Sequence, residues 1–196
     1  AVSAVGPSSV AVGDFDGDGI EDFAVTNYYD SKVYIVRGNP DGTFGTMFAS
    51  YATEANPSFV TVGDFDKDGK LDLAVAKRGS TNISIFFGNG NGTFLPATAK
   101  NVGVYPNTLA IGDFNGDGYP DIAVGDYDTA NFSILINNHF LAARSFLAPA
   151  LILPWTGRAT QAVVGDFNGD GKQDIAVVNA GSDETVSILL GVGDGT

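Results

Sequence analysis

One pattern constrains this chain more than any other: Gly-Asp-Phe-(Asp/Asn)-x-Asp-Gly-x-x-Asp occurs four times, with its first Asp at Asp14, Asp64, Asp113 and Asp166. The spacings are 50, 49 and 53 residues. Internal periodicity of this length is the mark of a repeat architecture, in which each unit buries its apolar faces against its neighbours. The likeness between copies continues on both sides of the pattern. Val10-Ala11-Val12, Val60-Thr61-Val62, Leu109-Ala110-Ile111 and Ala162-Val163-Val164 precede it, and Phe23-Ala24-Val25, Leu73-Ala74-Val75, Ile122-Ala123-Val124 and Ile175-Ala176-Val177 follow. A third apolar segment starts at Val33, Ile83, Phe132 and Val186, and a Gly/Asn/Asp turn closes it at Gly38, Gly88 and Gly191. A fourth, less regular segment is expected to start at Phe44, Phe94 or Phe140.

These segments are short, rich in β-branched and aromatic residues and separated by turn residues, and none carries a helical period. The expected fold is therefore all-β: a β-propeller of four-stranded antiparallel blades, four repeats of about 50 residues. Blade boundaries are expected at 7–56, 57–105, 106–158 and 159–196, with residues 1–6 completing the last blade. Three arrangements satisfy the pattern: a small closed ring, part of a larger propeller, or half of a ring built from two chains. In the last, a homodimer completes the ring.

Composition narrows the partners. The net charge of −13 and the 23 acidic residues are the wrong sign for nucleic acid or an anionic membrane surface. No apolar run is long enough for membrane insertion as a helix. Cys is absent and His139 is the single histidine, which excludes disulfides and His/Cys metal sites and disfavours a Ser-His-Asp triad.

The acidic residues cluster where the repeat places them. In the first loop Asp14, Asp16, Asp18 and Asp22 supply carboxylates at positions 1, 3, 5 and 9, Ile20 supplies a carbonyl at position 7, and Gly at position 6 permits the bend. Hard oxygens in that number suit Ca²⁺ better than Mg²⁺, which prefers fewer protein ligands. The corresponding sets are Asp64, Asp66, Asp68, Lys70 and Asp72; Asp113, Asn115, Asp117, Tyr119 and Asp121; and Asp166, Asn168, Asp170, Lys172 and Asp174. About four Ca²⁺ ions are expected, one per repeat, bound more weakly where Asn replaces Asp. An EF-hand is excluded, because position 12 is Val25, Val75, Val124 and Val177 where that motif needs Glu, and strands flank the loops. Plain polar turns fit poorly, because three or four carboxylates within nine residues repel one another without a cation. Fourteen of the 23 acidic residues lie at ligand positions, so four calcium ions would offset eight of the thirteen net negative charges.

The loops and the 50-residue repeat resemble the FG-GAP/VCBS repeats of integrin α-chain propellers and their bacterial and fungal relatives. The resemblance covers essentially the whole chain. It implies that the calcium loops join the first two strands of each blade on one face. This sequence departs from the family in holding four repeats, where seven or so are usual, and in an irregular third repeat with a long connection at 141–158.

The opposite face would then carry the loops between second and third strands and between blades. Tyr28, Tyr29, Lys77, Arg78, Tyr105, Asp126, Tyr127, Asp128, Trp155 and Arg158 fall there. Aromatic rings beside charged groups suit a protein interface or a sugar platform. Tyr28, Tyr29, Arg78, Tyr105, Tyr127, Trp155 and Arg158 are the expected ligand-binding residues. The expected function is a calcium-stabilised extracellular binding module for adhesion or protein interaction, the alternative being a carbohydrate-binding lectin. No acid–base constellation points to an enzyme.

Overall fold

The computed structural model describes residues 6–128, 131–138, 145–147, 151–154, 158–180 and 184–195, with the backbone alone for 151–154. Four antiparallel sheets follow one another along the chain, and no helix occurs among the described residues. The first contains β1 (Pro7–Gly13), β2 (Asp22–Asn27), β3 (Lys32–Gly38) and β4 (Phe44–Ala52). The second contains β5 (Pro57–Gly63), β6 (Asp72–Lys77), β7 (Asn82–Phe86) and β8 (Thr98–Asn101). The third contains β9 (Pro106–Gly112), β10 (Asp121–Asp126), β11 (Asn131–Leu135) and β12 (Leu151–Pro154). Three strands make up the fourth, β13 (Arg158–Gly165), β14 (Asp174–Ala180) and β15 (Val186–Leu189). Every sheet is a simple meander in sequence order, as short turns between antiparallel strands require.

First strands stand side by side in the order β1, β5, β9, β13, so each sheet meets the next. They line an open channel of about 430 Å³, walled by Val10, Phe59, Leu109, Ala162 and their neighbours. Strand alternation gives each sheet two apolar faces, and three clusters fill the three seams. Ala24, Val33 and Ile35 of the first sheet pack against Val60, Leu73 and Phe86 of the second. Ala74, Ile83 and Ile85 meet Leu109, Ile122 and Leu135 at the next seam, and Ala123, Phe132 and Ile134 meet Ala162, Ile175 and Val177 at the third. The repeated Phe of the loop motif enters this packing at Phe15, Phe65 and Phe114, all nearly inaccessible.

Fourth strands differ from the expectation in two repeats. Phe94 makes only an isolated bridge to Gly88, and β8 starts at Thr98. In the third repeat the equivalent bridge joins Asn137 to Phe146, which fills the place that Phe94 fills one seam earlier. Phe140 lies outside the described residues, as do residues 1–5 of the segment expected to complete the last blade. The inserted stretch moves the aromatic anchor along the chain while the seam still demands one. β13 starts at Arg158, one residue before the expected boundary.

Candidate calcium loops and the opposite face

Each motif loop runs from the end of a first strand to the start of a second, so all four lie at the same end of their sheets. The first Asp organises its loop. Asp14 Oδ1 accepts from the N–H groups of Gly17 (2.7 Å) and Asp18 (3.2 Å), and Oδ2 accepts from Gly19 (2.9 Å). Asp166 accepts the same three donors at 2.7, 3.1 and 2.8 Å. Glycine is needed at position 6: Gly19, Gly69, Gly118 and Gly171 hold φ between 82° and 84°, a left-handed conformation. These bonds shift acidity. The N–H of Gly171 leads in holding the Asp166 carboxyl below its usual value; at Asp14 a burial penalty is outweighed by the N–H groups of Gly19, Gly17 and Asp18.

The last Asp of the motif is a buried staple. Asp72 Oδ2 accepts from Phe65 N–H (2.8 Å) and Oδ1 from Gly88 N–H (2.7 Å), which ties the loop to the turn after β7. Asp22, Asp121 and Asp174 repeat the pair of bonds with Phe15 and Gly38, Phe114 and Asn137, and Phe167 and Gly191. Burial pushes Asp72 and Asp121 up to about 6, against their two backbone donors, and the neighbouring loop carboxylates add to the rise. Asp22 is raised for the same first reason. The close approach at the staple explains a second glycine: a Cβ at Gly88 would sit 2.2 Å from the carbonyl oxygen of Leu71.

Could these oxygens hold calcium? Carboxylate oxygens of Asp14, Asp16 and Asp18 lie within 4.8 Å of one another, and so do those of Asp64, Asp66 and Asp72. Two oxygens on one Ca²⁺ stand up to about 5 Å apart, given Ca–O distances of about 2.3–2.6 Å, so both groups fit. In the third and fourth loops the Asn side chain turns its amide toward a neighbouring ligand: Asn115 Nδ2 donates to Asp117 Oδ2 (3.0 Å) and Asn168 Nδ2 to Asp170 Oδ2 (3.2 Å). The sequence gave no hint of one feature of the first loop. Arg37 Nε lies 2.9 Å from Asp16 Oδ2, with its guanidinium 3.6 Å over the Phe48 ring.

At the other end of the sheets a different set of side chains gathers. The Tyr127 ring has the Arg78 guanidinium 3.2 Å from its centroid and that of Arg158 at 4.9 Å. Arg158 Nη1 donates to the Tyr127 hydroxyl (3.4 Å), and its Nε lies 3.8 Å from Asp128 Oδ1. Tyr127 N–H donates to the carbonyl of Tyr105, which holds an uncommon φ of 61° for a non-glycine residue. Four of the seven expected residues thus meet in one cluster. Tyr28 and Tyr29 pair edge to face in the first sheet, with Tyr29 exposed and Tyr28 held at its carbonyl by Asn56 Nδ2 (3.0 Å). Trp155 lies outside the described residues. Lys77 and Asp126 are not loop residues: each ends a second strand and is buried beneath the connection between sheets. Burial lowers the Lys77 amine, opposed by Glu54 at 3.6 Å.

The sequence profile of the FG-GAP-like repeat matches residues 14–75, 64–124 and 113–177. The chain belongs to the FG-GAP-like repeat family. Its repeats fit the four sheets as successive blades, with the calcium-type loops between first and second strands. No curated protein matches the chain. Among solved structures, this FG-GAP-like repeat protein is similar in fold to a lectin from Agrocybe aegerita, described for specific recognition of non-reducing terminal N-acetylglucosamine. The TM-score is 0.60 at 23% identity, over 94% of this chain and 49% of the lectin. The chain therefore spans about half the length of that relative.

Proposed function

We propose that this chain is a calcium-stabilised β-propeller recognition module that works outside the cell. The observation that carries the reading is the separation of its two ends. One end gathers carboxylates and staples each loop to its sheet; the other gathers Tyr105, Tyr127, Arg78 and Arg158 on rigid strand ends. Calcium in the loops would neutralise like charges and stiffen the sheets without touching the recognition end. Extracellular calcium is abundant enough to fill weak sites, which suits an extracellular location. The metal is assigned a structural part, since each loop is tied into the scaffold and no general base stands beside it.

The recognition end is matched to a protein partner by its Tyr and Arg content, the residue types that dominate interface energetics. A second reading, a glycan ligand, is favoured by the likeness in fold to the Agrocybe aegerita lectin. A glycan array and a surface-protein binding screen, both run in calcium and again with chelator, test the two readings. Selective glycan binding lost in Tyr127→Ala and Arg158→Ala supports the lectin reading. Protein binding lost in the same variants supports the first. Binding that survives both substitutions refutes the assignment of this end.

A further inference from the structure

The first and last sheets bear faces that the inner sheets bury. Phe167 occupies the motif position of Phe15, Phe65 and Phe114, which are 2%, 1% and 5% accessible, yet Phe167 is 48% accessible. Val163, Val178, Val186, Ile188 and Leu190 are exposed on the same face of the fourth sheet. By register, Ile188 corresponds to Ile35, Ile85 and Ile134, which fill the three seams. The first sheet has the opposite face bare. Val10 is 60% accessible where Val60 and Leu109 are each 2%, and Phe44 is 55% accessible where Phe94 and Phe146 are each 6%. The chain thus ends in a tail face and a head face, which are the two halves of one kind of seam.

Polar links at the seams follow the same rule. A side chain near the start of each first strand donates to the carbonyl one repeat on: Ser8 Oγ to Pro57 (2.7 Å), Ser58 Oγ to Pro106 (3.3 Å) and Asn107 Nδ2 to Ala159 (2.9 Å). The motif Phe carbonyl accepts from the turn of the following sheet: Phe15 from Gly92 N–H (2.8 Å), Phe65 from Asn137 Nδ2 (2.6 Å) and Phe114 from Gly195 N–H (3.0 Å). The tail carries Thr160 and the Phe167 carbonyl at the corresponding places, and the head carries the Pro7 carbonyl and Gly42. Gly42 N–H rests on Asn39 within its own turn (3.0 Å) and would exchange that bond for the seam bond.

We infer that the tail face of this chain docks on the head face of a second copy. A second copy is the occupant that these observations specify, because one chain carries both halves of a seam it already makes three times. Heterologous contacts of this kind close into a ring when the rotation permits. Two copies give two identical junctions, eight sheets and no bare apolar face. They also reach about the size of the Agrocybe aegerita lectin, of which one copy spans 49%. This inference is independent of what the recognition end binds.

Light scattering of the 196-residue chain in calcium, at tens of micromolar, should give about twice 20.3 kDa. Val12→Asp on the head and Ile188→Asp on the tail change exposed residues, so each variant should keep its strand spectrum and cooperative melt. Each should be monomeric, with association weakened about a hundredfold, since every junction in a homodimer then buries an unpaired carboxylate. An equimolar mixture of the two should recover a dimer through the one junction that is wild type on both sides. A monomeric wild-type chain, an open-ended series of oligomers, or a mixture that stays monomeric would each overturn the inference.

Discussion

Removing calcium should make the stability of this protein fall as pH rises from about 5 to about 7.5. Asp72 and Asp121 are each raised from 3.8 to about 6, first by burial, against backbone N–H donors. A carboxyl with a higher pKa when folded binds protons better in the native state. Stability is therefore greatest while that proton is held and is lost as pH climbs from the unfolded value through about 6. One pH unit below the folded pKa the proton favours the native state about tenfold, or about 1.4 kcal/mol per group. With allowance for partial solvation, the two carboxyls together lose on the order of 1–3 kcal/mol between pH 5 and 7.5. For a chain of this length that is roughly 2–10 °C in melting temperature. The assay is thermal melting by circular dichroism, with calcium stripped on a chelating resin because soluble chelators weaken in acid. Calcium should flatten or reverse the slope, since the ion takes the place of the proton at ionised ligands. Asp72→Asn should remove about half of the apo slope. An apo melting temperature that is flat or rises with pH, or an Asp72→Asn protein with the full slope, would refute the reasoning.

Other outcomes follow from particular contacts. Gly88→Ala should cost about 2–4 kcal/mol in urea unfolding, because its Cβ would meet the Leu71 carbonyl oxygen at 2.2 Å. Asn137→Ala leaves the Phe65 and Pro120 carbonyls without their buried donor and should cost about 1–3 kcal/mol in the same assay. Lys77→Met should be neutral or stabilising by about 1 kcal/mol, since a buried amine with one distant carboxylate is replaced by an apolar chain of similar shape. In isothermal titration, Asn115→Asp should tighten calcium binding several-fold, because it adds ligand charge and removes the amide that holds Asp117.

Much of this protein is written locally. The four motifs and the turn glycines determine where strands start and stop, because each encodes a bend that few other residues permit. The period-two apolar pattern determines that both faces of every sheet are buried at a seam. Ligand sets of the loops are equally local, since all five positions fall within nine residues of chain. Decisions left to tertiary structure concern partners far apart in sequence. That the last motif Asp is a staple depends on a turn 16 or 17 residues away. That Lys77 is buried depends on the connection at Glu54 folding over it. Only packing moved the third aromatic anchor to Phe146 and brought Arg78, Tyr127 and Arg158 together from three different sheets. Short-range geometry is fixed by residue type at fixed spacing, whereas burial depends on which surfaces the rest of the chain brings into contact.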